Sequence, residues 1–93
     1  MGRPLHLVSY DVRCPKRWRR VFGTLKRQGA HRQLSVFLVR LEASAMQRLQ
    51  VELTAAIDPE QDSVLIARID GQSAGVVELG RPGPLPGARI LLV

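Results

Sequence analysis

A single carboxylate set in a strongly cationic stretch is the first feature of this chain that could do chemistry. Asp11 is the only acid among residues 1–40, which carry ten Lys/Arg. It closes the apolar run Leu5–Asp11 and is followed by Arg13, Lys16, Arg17, Arg19 and Arg20. A carboxylate in that setting stays ionised and can hold a divalent cation. Magnesium takes one or two carboxylates and fills its remaining positions with water and phosphate oxygens. One Asp11 makes a weak site. Two brought together across a two-fold axis make a credible one, where a metal could activate water for attack on a phosphodiester. The structural alternative is that Asp11 caps the following turn or pairs with Arg13 or Arg17.

Arg17, Arg19, Arg20, Lys26, Arg27 and Arg32 are candidate phosphate contacts, and each neutralised phosphate would steepen the salt dependence of binding. Trp18 and Phe22 belong to an apolar stripe, so no aromatic is interleaved with these cations for base stacking. Binding is then expected to follow the backbone and ignore sequence. For any single arginine a solvated face is the competing reading. His6 and His31 lack metal-ligand spacing, Cys14 has no cysteine partner, and Ser35 has no base near it in sequence. There is no phosphate-binding glycine loop.

The bulk of the chain supports a polyanion partner. Residues 1–40 have ten cations against one acid, a net +9, while residues 41–93 have four arginines against seven acids, a net −3. Twelve of the fourteen cations are arginine, the side chain that grips phosphate bidentately. With 93 residues the chain makes one small domain, which buries only about 60–65% of its unfolded surface. A homodimer interface would supply further burial. One cysteine excludes an internal disulfide, and with no signal peptide the expected compartment is the reducing cytoplasm. No apolar run approaches the roughly 20 residues of a membrane helix.

The elements that must position these groups follow from pattern. Leu5–Asp11 reads as a buried strand, and Pro15 suits the first position of a helix. Over residues 16–28, Trp18, Val21, Phe22 and Leu25 fall at i, i+3, i+4 and i+7, one face of a helix; Gly29 is placed to end it. Residues 31–41 are β-rich and long enough to bend or split near Leu34. A second helix opens at Ser44 with Gln47 as a capping box. Its stripe is Met46, Leu49, Leu53, Ala56 and Ile57, and Asp58-Pro59 stops it. Residues 63–69 and 76–79 read as strands, with a turn at Asp70-Gly71 between them. The order predicts an α+β, ferredoxin-like β-α-β-β-α-β sheet over residues 1–79. A Pro/Gly linker over residues 80–87 and an apolar strand over 88–93 follow, the strand adding to its own sheet edge or to a partner's.

Taken together, Val8-Ser9-Tyr10-Asp11-Val12, the arginine-rich helix, Gln33-Leu34-Ser35-Val36-Phe37 and Asp58-Pro59-Glu60-Gln61-Asp62-Ser63-Val64 resemble the CRISPR-associated Cas2 family, the small protein of the spacer-acquisition complex. The likeness spans residues 5–93. It implies a ferredoxin-like homodimer with exchanged C-terminal strands that bridges dimers of the Cas1 integrase and holds double-stranded DNA. It also implies a Mg²⁺-dependent endonuclease acting on RNA or duplex DNA. By resemblance Asp11 is the metal position, Tyr10 its neighbour, Ser35 and Phe37 shape the site, and Arg17 and Arg20 match the helix arginines. Arg19, Arg27, His31 and Arg32 complete the expected nucleic-acid contacts. The chain departs from the family's Arg-aliphatic-Gln pattern at His31-Arg32-Gln33: Arg32 comes one position late, and His31 stands in its place. Two other readings remain open: a free-standing metal-dependent ribonuclease of toxin type, and a basic RNA-binding module without chemistry.

Overall fold

The computed structural model describes residues 3–33, 35–70 and 75–81. Five strands and two helices follow one another as β1 (Leu5–Asp11), α1 (Pro15–Gln28), β2 (Gly29–Gln33), β3 (Val36–Arg40), α2 (Ala43–Ala56), β4 (Ser63–Arg68) and β5 (Gly75–Gly80). All pairings are antiparallel and the sheet order is β2-β3-β1-β4-β5. That is the ferredoxin-like arrangement with one strand added outside β4. No helix among the described residues is long and apolar enough to cross a membrane.

Strand alternation splits the sheet into two unlike faces. Val8 and Tyr10 of β1, Phe37 and Val39 of β3, and Val64 and Ile66 of β4 point toward the helices and are buried. Val21 and Leu25 of α1 meet them, together with Met46, Leu49, Leu53 and Ala56 of α2. The opposite face carries Leu5, Leu7, Val36, Leu38 and Leu65, each half-buried and covered by no element among the described residues.

The boundaries refine the sequence expectations. The β-rich run does divide, into β2 ending at Gln33 and β3 beginning at Val36. Gly29 follows α1 in extended rather than left-handed conformation and passes directly into β2, its N–H donating to the Leu25 carbonyl. The capping box at Ser44 does not form. α2 begins one residue earlier, after Glu42, and the Ser44 hydroxyl donates to Glu42 Oε1 (3.3 Å) instead of serving a backbone N–H. Gly80, counted with the linker by composition, is the last residue of β5. Arg81 follows it, and residues 82–93, the remainder of that linker and the tail, lie outside the described residues.

Asp70 fastens the other end of the sheet. Its carboxylate accepts the Leu5 N–H at 2.9 Å and faces Arg68 and Arg40 at 3.6 and 3.7 Å. The Leu5 hydrogen bond, with Arg68 and Arg40 adding to it, holds the Asp70 carboxyl below the usual carboxylate range.

A β-bulge interrupts β2 where it pairs with β3. His31 opposes Phe37 and Gln33 opposes Val36, so Arg32 is the extra residue. A bulge restores facing after a one-residue slip in register. The late arginine of the sequence is thereby absorbed by the backbone.

Candidate nucleic-acid and metal-binding surface

Asp11 ends β1 opposite Ser63 of β4. By alternation with buried Val8 and Tyr10 it belongs to the face turned away from the helices. Its side chain is 64% exposed and pairs with Arg13, whose Nε lies 3.4 Å from Oδ1. Of the two ion pairs foreseen for it, the one with Arg13 is present and the one with Arg17 is not. No group of three or more His, Cys, Asp or Glu side chains able to hold a metal occurs among the described residues. Among the described residues, Asp11 of one copy therefore meets a cation as a lone exposed carboxylate that already shares an arginine.

Tyr10 and Phe37 lie beneath this site rather than in it. Phe37 is fully buried and Tyr10 is 4% exposed. The Tyr10 ring sits edge-on to Trp18 and stacked against Phe37, with centroids 6.3 and 6.2 Å away; burial raises its hydroxyl pKa. Both side chains face the helices and pack beneath the end of β1, on the opposite side of the sheet from Asp11. Ser35 is brought close through its backbone, its carbonyl accepting the Tyr10 N–H at 3.1 Å.

The expected cationic contacts separate into three places. Arg19, Arg20 and Arg27 are exposed along a groove of about 550 Å³ between α1 and α2. Arg27 pairs there with Glu52 at 3.3 Å. His31 is exposed at the β2 edge, its ring 4.8 Å from Phe37 and 5.2 Å from Phe22. Arg32, set by the bulge, lines a depression of about 320 Å³ with Leu7, Gln33, Val36 and Leu38 on the open face. These residues do not converge on one pocket.

Arg17 is committed elsewhere, to Asp62 at the end of the Asp58-Pro59-Glu60-Gln61-Asp62 stretch. Its Nε and Nη2 donate to Asp62 at 2.6 and 3.1 Å. Asp62 is fully buried. Its carboxylate also accepts the backbone N–H groups of Arg13 and Asp58, each at 2.9 Å. Its carbonyl accepts the Arg81 N–H at 2.7 Å. The Arg17 hydrogen bonds outweigh the cost of burial, and with the two N–H donors they lower the Asp62 carboxyl to about 2. One residue, through its carboxylate and its backbone carbonyl, thus ties together the start of α1, the turn after α2, the start of β4 and the end of β5. Gly80 is required beside it: its φ is +89°, and a Cβ there would collide with the Asp62 carbonyl oxygen. The signal in the sequence was the Asp58-Pro59-x-x-Asp62 spacing, which ends immediately before β4.

A family model described as CRISPR associated protein Cas2 matches residues 4–76. The CRISPR-associated endoribonuclease Cas2 1 of Rhodospirillum rubrum is 44% identical over 61 residues, 66% of this chain and 60% of that protein. The CRISPR-associated endoribonuclease Cas2 of Geobacter sulfurreducens is 39% identical over 62 residues, 67% and 65% of the two chains. The match thus spans slightly under two thirds of the length of both relatives. The CRISPR-associated endonuclease Cas2 2 of Thermus thermophilus is 34% identical over 89 residues, 96% and 94% of the two chains. Among solved structures, a hypothetical protein of Thermus thermophilus superposes with a TM-score of 0.72 at 33% identity, covering 91% of this chain and 99% of that one. Streptococcus pyogenes Cas2 gives 0.66 at 30% identity, covering 74% and 88%.

Proposed function

From the chain's membership of the CRISPR-associated protein Cas2 family, shown by the match over residues 4–76, we propose a homodimeric nucleic-acid scaffold for spacer acquisition. In this reading it holds duplex DNA on its cationic surface while Cas1 integrase dimers dock on it, and it keeps a Mg²⁺-dependent nuclease centre at Asp11. One observation carries the proposal: the sheet face without helices is apolar across its middle and bears Asp11 at its end. Leu5, Leu7, Val36, Leu38 and Leu65 are half-buried there, with no covering element among the described residues. A second copy packed on that face would bury them and would bring a second Asp11 toward the first.

A single Asp11 does not fit a metal ion; a facing pair does. Bound between two such carboxylates, Mg²⁺ would supply an activated water and neutralise charge on a phosphodiester. The residues of this chain have separate tasks. Asp11 provides the ligand oxygens. Arg13, at 3.4 Å, balances its charge and would be free to turn to a phosphate once Asp11 engages a cation. Tyr10, Phe37 and Trp18 hold the strand end rigid from below.

The relatives' names include both endoribonuclease and endonuclease, so the substrate test must include both nucleic acids. Purified wild type and Asp11→Ala are assayed on RNA and duplex DNA with Mg²⁺ and with chelator. Cleavage by wild type that needs Mg²⁺ and disappears in Asp11→Ala supports the nuclease centre. Equal cleavage by both proteins removes Asp11 from the chemistry. Duplex binding and spacer integration retained by Asp11→Ala would assign the scaffold role to the rest of the surface.

A further inference from the structure

Helix α1 contains a glycine that its packing does not call for. A Cβ built at Gly23 would meet nothing within 4 Å. Glycine inside a helix costs about 1 kcal/mol relative to alanine, so the position is filled against stability. Its neighbours suggest what is gained. Arg19 and Arg20 stand four and three residues before it and Arg27 four after, the spacing that shares one helix face. Across the groove stand Val51, Glu52 and Ala55 of α2, with Thr24 beside Gly23. Among the described residues Glu52 is the only acid in this lining, and it engages Arg27. Among the described residues Arg19 and Arg20 have no ion-pair partner.

We infer that the α1–α2 groove is a seat for a phosphodiester backbone, and that Gly23 leaves the helix surface bare so that a phosphate can come against it between Arg19, Arg20 and Arg27. The inference rests on the nucleic-acid reading proposed above and adds a location and an unassigned residue to it. Guanidinium groups suit phosphate because their donors form a planar fork matching two oxygens. A protein partner suits the groove less well. Among the described residues Val51 and Ala55 are its only apolar side chains, and the buried core of a protein interface is mostly apolar.

The test uses Gly23→Ala, Gly23→Gln, Arg19→Gln and Arg20→Gln in the full chain, with thermal unfolding and duplex-DNA affinity measured at several salt concentrations. Both Gly23 variants should melt at or above the wild-type temperature, since each puts a better helix former into open space. Gly23→Gln should weaken binding by about fivefold or more, roughly 1 kcal/mol, and Gly23→Ala by less. Each arginine variant should lower the salt slope by about one phosphate contact. A wild type that binds no nucleic acid at all defeats the parent reading. If the arginine variants weaken binding while both glycine variants bind like wild type, the role of the bare surface is overturned. If all four bind like wild type, the groove is not the seat.

Discussion

Two aspartates of this chain illustrate how environment divides labour between identical side chains. Asp62 has lost its water and gained two Arg17 nitrogens and two backbone N–H groups in exchange, and its carboxyl falls to about 2. Asp11 keeps its water and shares one exposed arginine, an ion pair worth at most about 1 kcal/mol. Asp11→Ala should therefore leave the midpoint of urea unfolding nearly unchanged. Asp62→Ala should lower stability by about 3 kcal/mol, because it strands Arg17 and two N–H donors in a partly dry site. Acid should reproduce part of that loss. A carboxyl with a depressed folded pKa stabilises the fold above its unfolded value near 4 and loses this contribution as pH falls toward 2. Denaturation of wild type at pH 5 and pH 2.5 should differ by up to about 2 kcal/mol more than it does in Asp62→Asn, which has no such group to titrate.

Among the elements, α1 was legible because its evidence is local: Trp18, Val21, Phe22 and Leu25 keep helical period between Pro15 and Gly29. The α2 stripe was legible for the same reason, and Met46, Leu49, Leu53, Ala56 and Ile57 are all buried as its period requires. Its cap was misplaced because Ser44 offers a good cap while Glu42 already stands where the chain turns. The bulge at Arg32 could not be read from β2 alone, since it exists only relative to Val36 and Phe37 across the ladder. Asp62 was visible as part of a motif but its role was not, for a similar reason: its partners Arg17 and Arg13 lie 45 and 49 residues away in the chain. Gly80 marks the same junction. Gly80→Ala combines left-handed backbone with a collision at the Asp62 carbonyl oxygen and should cost at least about 2 kcal/mol. A shift in the urea midpoint with an unchanged slope would show that only stability moved.

For the whole molecule, the proposed pairing depends on the open sheet face. Leu7 and Leu38 oppose each other at its centre and are half-buried within one chain, so Leu38→Glu should be tolerated by the fold yet disrupt pairing. Sedimentation should give a dimer for wild type and a monomer for Leu38→Glu, with the same far-UV circular dichroism. A Leu38→Glu dimer would place the interface elsewhere. Removing residues 88–93 asks separately whether strand exchange contributes: a shortened chain that stays a tight dimer has no need of it.

The two margins of the sheet differ in a way that bears on how far assembly can go. The β2 margin is irregular at Arg32 and shows solvent His31, Arg32 and Gln33; charge and a kink of this kind discourage another strand from joining. The β5 margin pairs with β4 in unbroken register from Gly75 to Gly80. A sheet that accepts company on one side only cannot be strung head to tail into a filament. If a second copy joined at the β5 margin it would have to do so about a two-fold axis, and with the β2 margin kinked and charged no further copy could add.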